Sequence, residues 1–210
     1  MILHDYWRSS AAYRVRMGLN LKGLDYALAP RDLRTGEQRA ADYLAKAPQG
    51  FVPALEVDGR VLTQSLAILE WLDETHPLPP LLPCDPDGRA VVRAMALTVA
   101  ADIHPLNNLR VLKVLKDDFA ADQDALDAWT RHWIAQGFAA LEVMAGRHAG
   151  DMLYGDAPGL ADICLTAQWY NAERFALDTA PYPRLAAIVA RARALPAFAH
   201  AHPGVQPGAG

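Results

Sequence analysis

The sequence predicts an α/β unit followed by an all-helical unit. Three observations carry that reading. Residues 1–75 mix short apolar runs with helical periodicity, residues 76–87 hold five prolines, and the remainder is helical in pattern throughout. In order, Ile2 to Tyr6 is short and partly apolar, as in a strand. A helix is expected from about Ala11 to Leu21, where Val15 and Leu19 lie one turn apart and Gly23 supplies the stop. Leu24 to Leu28 is a candidate second strand, and Glu37 to Lys46 a weaker helix that ends before Pro48. Ala54–Val57, Asp58-Gly59 and Val61-Leu62 read as a hairpin, because Asp-Gly suits a type I′ turn. Ser65 to Thr75 follows as a helix with Leu66, Ile68, Leu69 and Leu72 on a broad apolar face. The order is β-α-β-α-β-β-α.

Pro77, Pro79, Pro80, Pro83 and Pro86 then exclude helix and central strand, since proline lacks the amide donor and fixes φ. The expected boundaries are residues 1–78 for the first unit, 79–87 for a linker and 88–210 for the helical unit. Within the last, Gly88 to Lys116 is interrupted at Pro105. Asp122 to Arg147 carries the stripe Trp129, Trp133, Ile134, Phe138 and Leu141. Leu160 to Phe175 and Tyr182 to Leu195 are two more helices, and the Pro/Gly-rich tail from His202 is expected to fray.

Composition narrows the function. The 210 residues are 52% hydrophobic and 21% charged, which is ordinary globular usage and excludes a largely disordered chain. A net charge of −4 without a basic run argues against nucleic acid as partner. Two cysteines, Cys84 and Cys164, cannot build a disulfide framework or a four-ligand zinc site, and His76, His132, His148, His200 and His202 show no metal spacing. No apolar run is long enough for a membrane span, so a cytoplasmic protein of a reducing compartment is expected.

Several residues have the chemistry of an anion-binding site. Arg8-Ser9-Ser10 lies where a strand passes into a helix, and a helix start offers free N–H groups and partial positive charge. The alternative is that one serine merely caps the helix. Gln64-Ser65 repeats the arrangement ahead of the next helix, with the same alternative. Val52-Pro53 opens the third strand. A cis bond there would turn the Val52 backbone outward to pair with an extended peptide, while a trans proline at a strand start is the ordinary case. In the helical part, Asp102, His104, Asn107, Asn108 and Arg110 gather around Pro105, and buried polar groups need partners. Arg174 suits a carboxylate in bidentate fashion, or an ordinary salt bridge.

Taken in order, Arg8-Ser9-Ser10-Ala11-Ala12-Tyr13-Arg14-Val15-Arg16, Leu21-Lys22-Gly23, Val52-Pro53, Gln64-Ser65-Leu66-Ala67-Ile68, Leu81-Leu82-Pro83, Asn171-Ala172-Glu173-Arg174-Phe175 and Pro181-Tyr182-Pro183 resemble the cytosolic glutathione transferases. The first segment is similar to the signature of their zeta class, which includes maleylacetoacetate isomerases. The resemblance runs from about Ile2 to Pro207. It implies a thioredoxin-like N-terminal domain, an all-α C-terminal domain, a homodimer, and glutathione as cofactor. It implies that Ser9 hydrogen-bonds the glutathione sulfur with Ser10 beside it, that Val52 before a cis Pro53 pairs with the cysteinyl backbone, and that Gln64 and Ser65 hold the γ-glutamyl group. Gln38, His104, Asn108 and Arg110 fall where the family lines the glutathione and substrate pocket. Two departures stand out. Ala11 replaces the usual cysteine after the two serines, and Gly159 replaces the Ser/Thr that opens the family's late helix, which weakens that cap.

The reaction so implied is cis–trans isomerisation of a maleyl dicarboxylate, by a thiolate that adds to the double bond and leaves after rotation. Ser9 and the helix dipole would keep the thiol ionised. Arg8, Arg110 and Arg174 are the candidates for holding the dianionic substrate. Asn107-Asn108-Leu109-Arg110 resembles the maleylpyruvate isomerases of the same class, so both substrates are carried forward. A general glutathione transferase is disfavoured by three arginines, which suit an anionic ligand. A glutathione-binding regulatory module without activity is disfavoured by the retained Ser9.

Overall fold

The computed structural model describes residues 1–209. In chain order its elements are β1 (Ile2–Asp5), α1 (Ser10–Leu21), β2 (Ala27–Pro30), α2 (Ala41–Leu44), β3 (Ala54–Val57), β4 (Arg60–Thr63), α3 (Ser65–Thr75), α4 (Pro86–Leu97), α5 (Leu109–Phe119), α6 (Gln123–His148), α7 (Leu160–Arg174), α8 (Pro183–Ala194) and α9 (Pro196–Ala201). Two compact units result. One comprises Met1–Leu81 together with the chain from Ala194 onward, and the other Leu82–Arg193.

In the first unit a four-stranded sheet has the order β2-β1-β3-β4. β1 pairs with β2 in parallel and with β3 antiparallel, so Leu3 faces Leu28 on one side and Leu55 on the other. Asp58 (φ 49°) and Gly59 (φ 74°) both take left-handed conformations between β3 and β4, as a type I′ turn requires. The second strand starts three residues later than the sequence suggests. The Gly23 N–H bonds Asn20 O and the Leu24 N–H bonds Leu19 O, a Schellman closure with Gly23 at φ 65° that keeps Leu24 in the helix terminus. The weak helix after residue 36 divides into a 3₁₀ turn at Glu37–Arg39 and the single-turn α2.

α1 is buried at every position from Ser10 to Leu19, although it carries Arg14 and Arg16. Two neighbours explain this. α3 covers one face, where Gly18 admits the Leu69 side chain, and α9 covers another. The Asn20 side chain donates to Ala197 O at 2.9 Å, and Arg16 Nε to Ala201 O at 3.0 Å. Residues from Ala194 onward therefore belong with the first unit, not with the helical unit to which residues 88–210 were assigned. Among the described residues the tail is anchored at Gln206 instead of fraying. Its Gln206 side chain is buried and donates to the carbonyls of His200 and His202. At the other end of α1, Lys22 reaches Asp73 at 2.8 Å and Pro79 O at 2.6 Å, and Asp73 also accepts the Leu81 N–H, so residues 79–81 of the proline stretch are pinned to this unit.

The second unit is helical. Asp85 caps α4 by accepting the Gly88 N–H at 2.7 Å, and Pro86 occupies the first helical position, where its missing N–H costs nothing. The helix therefore begins two residues before the expected Gly88. It continues into a π-helical turn at Thr98–Ile103, a 3₁₀ turn at Pro105–Asn107 and then α5, a broken path that follows from Pro105. α7 is buried from Leu160 to Trp169, with Trp169 stacked on Phe138 of α6 and the Tyr182 ring set edge-on against Phe138. Glu142 of α6 accepts the N–H groups of Arg184 and Leu185, satisfying two free donors at the start of α8. No helix of the described residues is long and apolar enough to cross a membrane.

Candidate active site

In the first unit the turn from β1 to α1 closes through the Ser9 N–H on Tyr6 O at 2.8 Å. Ser9 is the N-cap of α1, and its Oγ accepts the Ala12 N–H at 3.2 Å. The capping and anion-binding readings are compatible. A hydroxyl that accepts an amide proton retains its own proton to donate, and the amide polarises it. Ser9 is half-buried, at the positive end of the α1 dipole. Ser10 is the first residue of α1 and is buried. Arg8, beside Ser9, lays its guanidinium 5.4 Å from the centre of the Trp7 ring.

The Val52–Pro53 bond is cis, and both residues are buried just ahead of β3. Val52 shares a hydrophobic cluster with Tyr6, Tyr43, Ala47 and Ala54, and Trp7 packs on it, so the residues before β3 and the β1–α1 turn meet in one core. Gln64 adopts φ 67° and ψ 116°, an uncommon conformation for a non-glycine residue, and its Nε2 donates to Gln49 Oε1 at 3.0 Å. Ser65 opens α3 and accepts from Arg14 Nη1 at 3.1 Å. Arg14 is 1% exposed, so a buried positive charge stands directly behind the Ser65 hydroxyl. Gln38 lies in the 3₁₀ turn at Glu37–Arg39, and its Oε1 is buried without a hydrogen-bond partner among the described residues.

The surrounding charges are set by burial and pairing. Arg16 and Asp5 form a buried pair at 2.5 Å. Desolvation pushes the Asp5 carboxyl above its ordinary value and the Arg16 guanidinium below its own, against their mutual attraction. Burial raises the Tyr43 hydroxyl to about 12, so it stays protonated and donates to Phe51 O. Glu56 is held below the carboxylate range by hydrogen bonds from Lys46 and then His4.

In the second unit, His104 ends the π-helical turn with its N–H on Val99 O and is half-buried. Asn108 caps α5, accepting the Arg110 N–H at 3.1 Å, and Arg110 is exposed in the first turn of that helix. The Trp129 indole donates to Leu106 O at 2.9 Å and fixes the 3₁₀ turn to α6. Arg174 is the exposed last residue of α7. Its Nη1 donates to Asn171 Oδ1 at 3.0 Å, and its guanidinium lies over the Tyr170 and Phe175 rings.

The N-terminal domain model of glutathione S-transferases matches residues 8–75. A probable maleylacetoacetate isomerase of Vibrio cholerae is 49% identical over 212 residues, covering 100% of this chain and 98% of that protein. The chain belongs to the glutathione transferase family. A solved maleylpyruvate isomerase, described as a bacterial zeta-class glutathione S-transferase, superposes with a TM-score of 0.98 at 43% identity over the full length of both chains. A maleylacetoacetate isomerase of Methylobacterium extorquens AM1, solved with malonate and glutathione bound, gives 0.96 at 43% identity, again over both chains entire. The class and the two-part architecture expected from the signature are thereby shown.

Within this zeta-class transferase, the first unit carries Arg8 and Ser9 at the start of α1, Val52 just ahead of β3 and Ser65 at the start of α3. Such a set offers hydroxyl and amide donors and cationic charge to an anionic peptide. Three supporting residues were not singled out from the sequence: Arg14, Arg16 and Gln49. The signal for the first two was present, since α1 places two arginines in a run of otherwise small or apolar buried residues, where a charge persists only with partners.

Proposed function

We propose that this glutathione transferase is a glutathione-dependent cis–trans isomerase of maleyl dicarboxylates, with maleylacetoacetate as substrate and fumarylacetoacetate as product. The observation that carries the reading is Ser9, which caps α1 through its oxygen and keeps its hydroxyl proton for a negative partner. Glutathione fits the residues present. Ser65 backed by Arg14 suits a carboxylate, Gln38 holds an unpartnered buried carbonyl oxygen for an ammonium or amide, and the strand start at Val52 suits an extended peptide. When bound, glutathione supplies the thiolate that adds reversibly to the cis double bond and so permits rotation. Ser9 donates a hydrogen bond at the sulfur position, and the α1 dipole favours negative charge there. Arg8 holds a substrate carboxylate beside it. Arg110 and Arg174 are the further carboxylate-holding candidates, with His104 and Asn108 as glutathione-contacting ones. The assembly in this proposal is a cytoplasmic homodimer.

The test is direct. Purified protein with glutathione should consume maleylacetoacetate. Ser9→Ala should lower kcat/KM by about a hundredfold, the scale of losing one donor to a developing anion. An unchanged cis acid in the wild-type reaction overturns the proposal. Arg174→Ala should raise KM for the dicarboxylate, and unchanged kinetics removes Arg174 from the site. Maleylpyruvate is the second reading, supported by the match to a maleylpyruvate isomerase over its full length, and kcat/KM for the two acids measured side by side decides between them.

A further inference from the structure

We infer that Arg16 is a positioning residue for the thiolate, and that the C-terminal segment is the outer splint of the loop carrying Ser9. The inference deepens the proposed isomerase reading and rests on it. One guanidinium, 0% exposed, donates to three separate stretches of chain. Nη1 meets Asp5 Oδ1 at 2.5 Å at the end of β1, Nη2 meets Trp7 O at 3.0 Å in the turn, and Nε meets Ala201 O at 3.0 Å in α9. Its planar fork holds three acceptors at once in fixed directions, which a flexible ammonium cannot copy. Trp7 O belongs to the peptide that leads into Arg8, and Ser9 follows. The two ends of that turn are therefore held by Arg16 at Trp7 and by the Ala12 amide at Ser9.

The tail also passes close to this turn at Trp7. A side chain on Gly208 would start 3.5 Å from Trp7 Cδ1, and the Trp7 ring carries the Arg8 guanidinium. Further along, His202 sets its ring edge-on to Tyr13 at 6.1 Å. The titratable groups that face Arg16 are Asp5, Tyr13 and Tyr26. A change of residue 16 that keeps the positive charge therefore keeps the attraction to Asp5 and alters position.

Arg16→Lys meets that condition, because it retains the ion pair to Asp5 and gives up carbonyl bonds. The experiment titrates the thiolate absorbance of glutathione bound to wild type and variant, and in parallel records the pH profile of kcat/KM. The variant is expected to shift both midpoints up by about one pH unit, a tenfold loss of thiolate below the midpoint. Binding of glutathione should change little, since the γ-glutamyl contacts are elsewhere. A second variant ends the chain after His202. It removes Gly208 beside Trp7 and the Gln206 bonds to the end of α9, keeps Ala201 itself, and should move the midpoint the same way by a smaller amount. It is decisive alone if the lysine variant does not fold. A purely structural Arg16 would lower the melting temperature and leave the midpoint in place, and that result overturns the inference. A wild-type protein that binds glutathione without lowering its thiol pKa overturns the isomerase reading itself, a distinct outcome seen before any variant is compared.

Discussion

Asp162 gives the protein a stability term with an unusual pH sign. It is 2% exposed, at the third position of α7, with Oδ1 accepting the Leu153 N–H at 2.7 Å and Oδ2 the Gly159 N–H at 2.9 Å. Burial outweighs those two amides and raises its carboxyl to about 6 from an ordinary 3.8. The folded state therefore holds this proton more tightly than the unfolded chain. Its stabilising contribution is complete below about pH 3.8 and is lost as pH rises through 6. The gap of roughly two pH units corresponds to about 3 kcal/mol in all, of which about 2 should be recovered between pH 7 and pH 4. Asp162→Asn keeps one acceptor oxygen and removes the titration. Urea unfolding followed by tryptophan fluorescence, with Trp169 on the same helix, measures both proteins from pH 7 to pH 4. Their difference should move by about 2 kcal/mol in favour of the wild type on acidification, because every other titrating group is common to both. Parallel profiles would refute the reasoning and show that the two amide bonds dominate the desolvation.

Two further outcomes are expected from packing and charge. Gly18→Ala puts a Cβ 2.1 Å from Leu69 Cδ2, and Leu69 is fully buried, so the urea midpoint should fall by an amount equivalent to about 1–3 kcal/mol despite alanine's better helix propensity. Arg14→Lys removes the guanidinium that meets Ser65, and calorimetric titration with glutathione should show affinity lower by about tenfold, the scale of one charged hydrogen bond, with the far-ultraviolet circular dichroism unchanged.

Local chemistry made much of the first unit legible. Asp58-Gly59 can close a two-residue hairpin because both take positive φ, and Ser9 and Ser65 mark helix starts because a helix leaves donors open there. The density of prolines after His76 separated the strands from the helices, since no regular element tolerates it. The order Ser9-Ser10, Val52-Pro53, Gln64-Ser65 was enough to suggest the family that the matched relatives then showed.

Other features depend on groups far apart in the chain. Periodicity reports one apolar face, so it could not show that α1 is covered on several sides by α3 and by a segment nearly two hundred residues away. The same limit made the tail look frayed and kept Arg14 and Arg16 as mere letters of a signature. A charge inside a protein is defined by its partners, and Ser65, Asp5, Trp7 and Ala201 become partners only when the chain has folded. Sequence alone determined which elements form and which side chains can donate to an anion. Tertiary structure decided where the buried arginines point and what the C-terminal segment holds in place, because hydrogen-bond geometry between distant segments has no local signal.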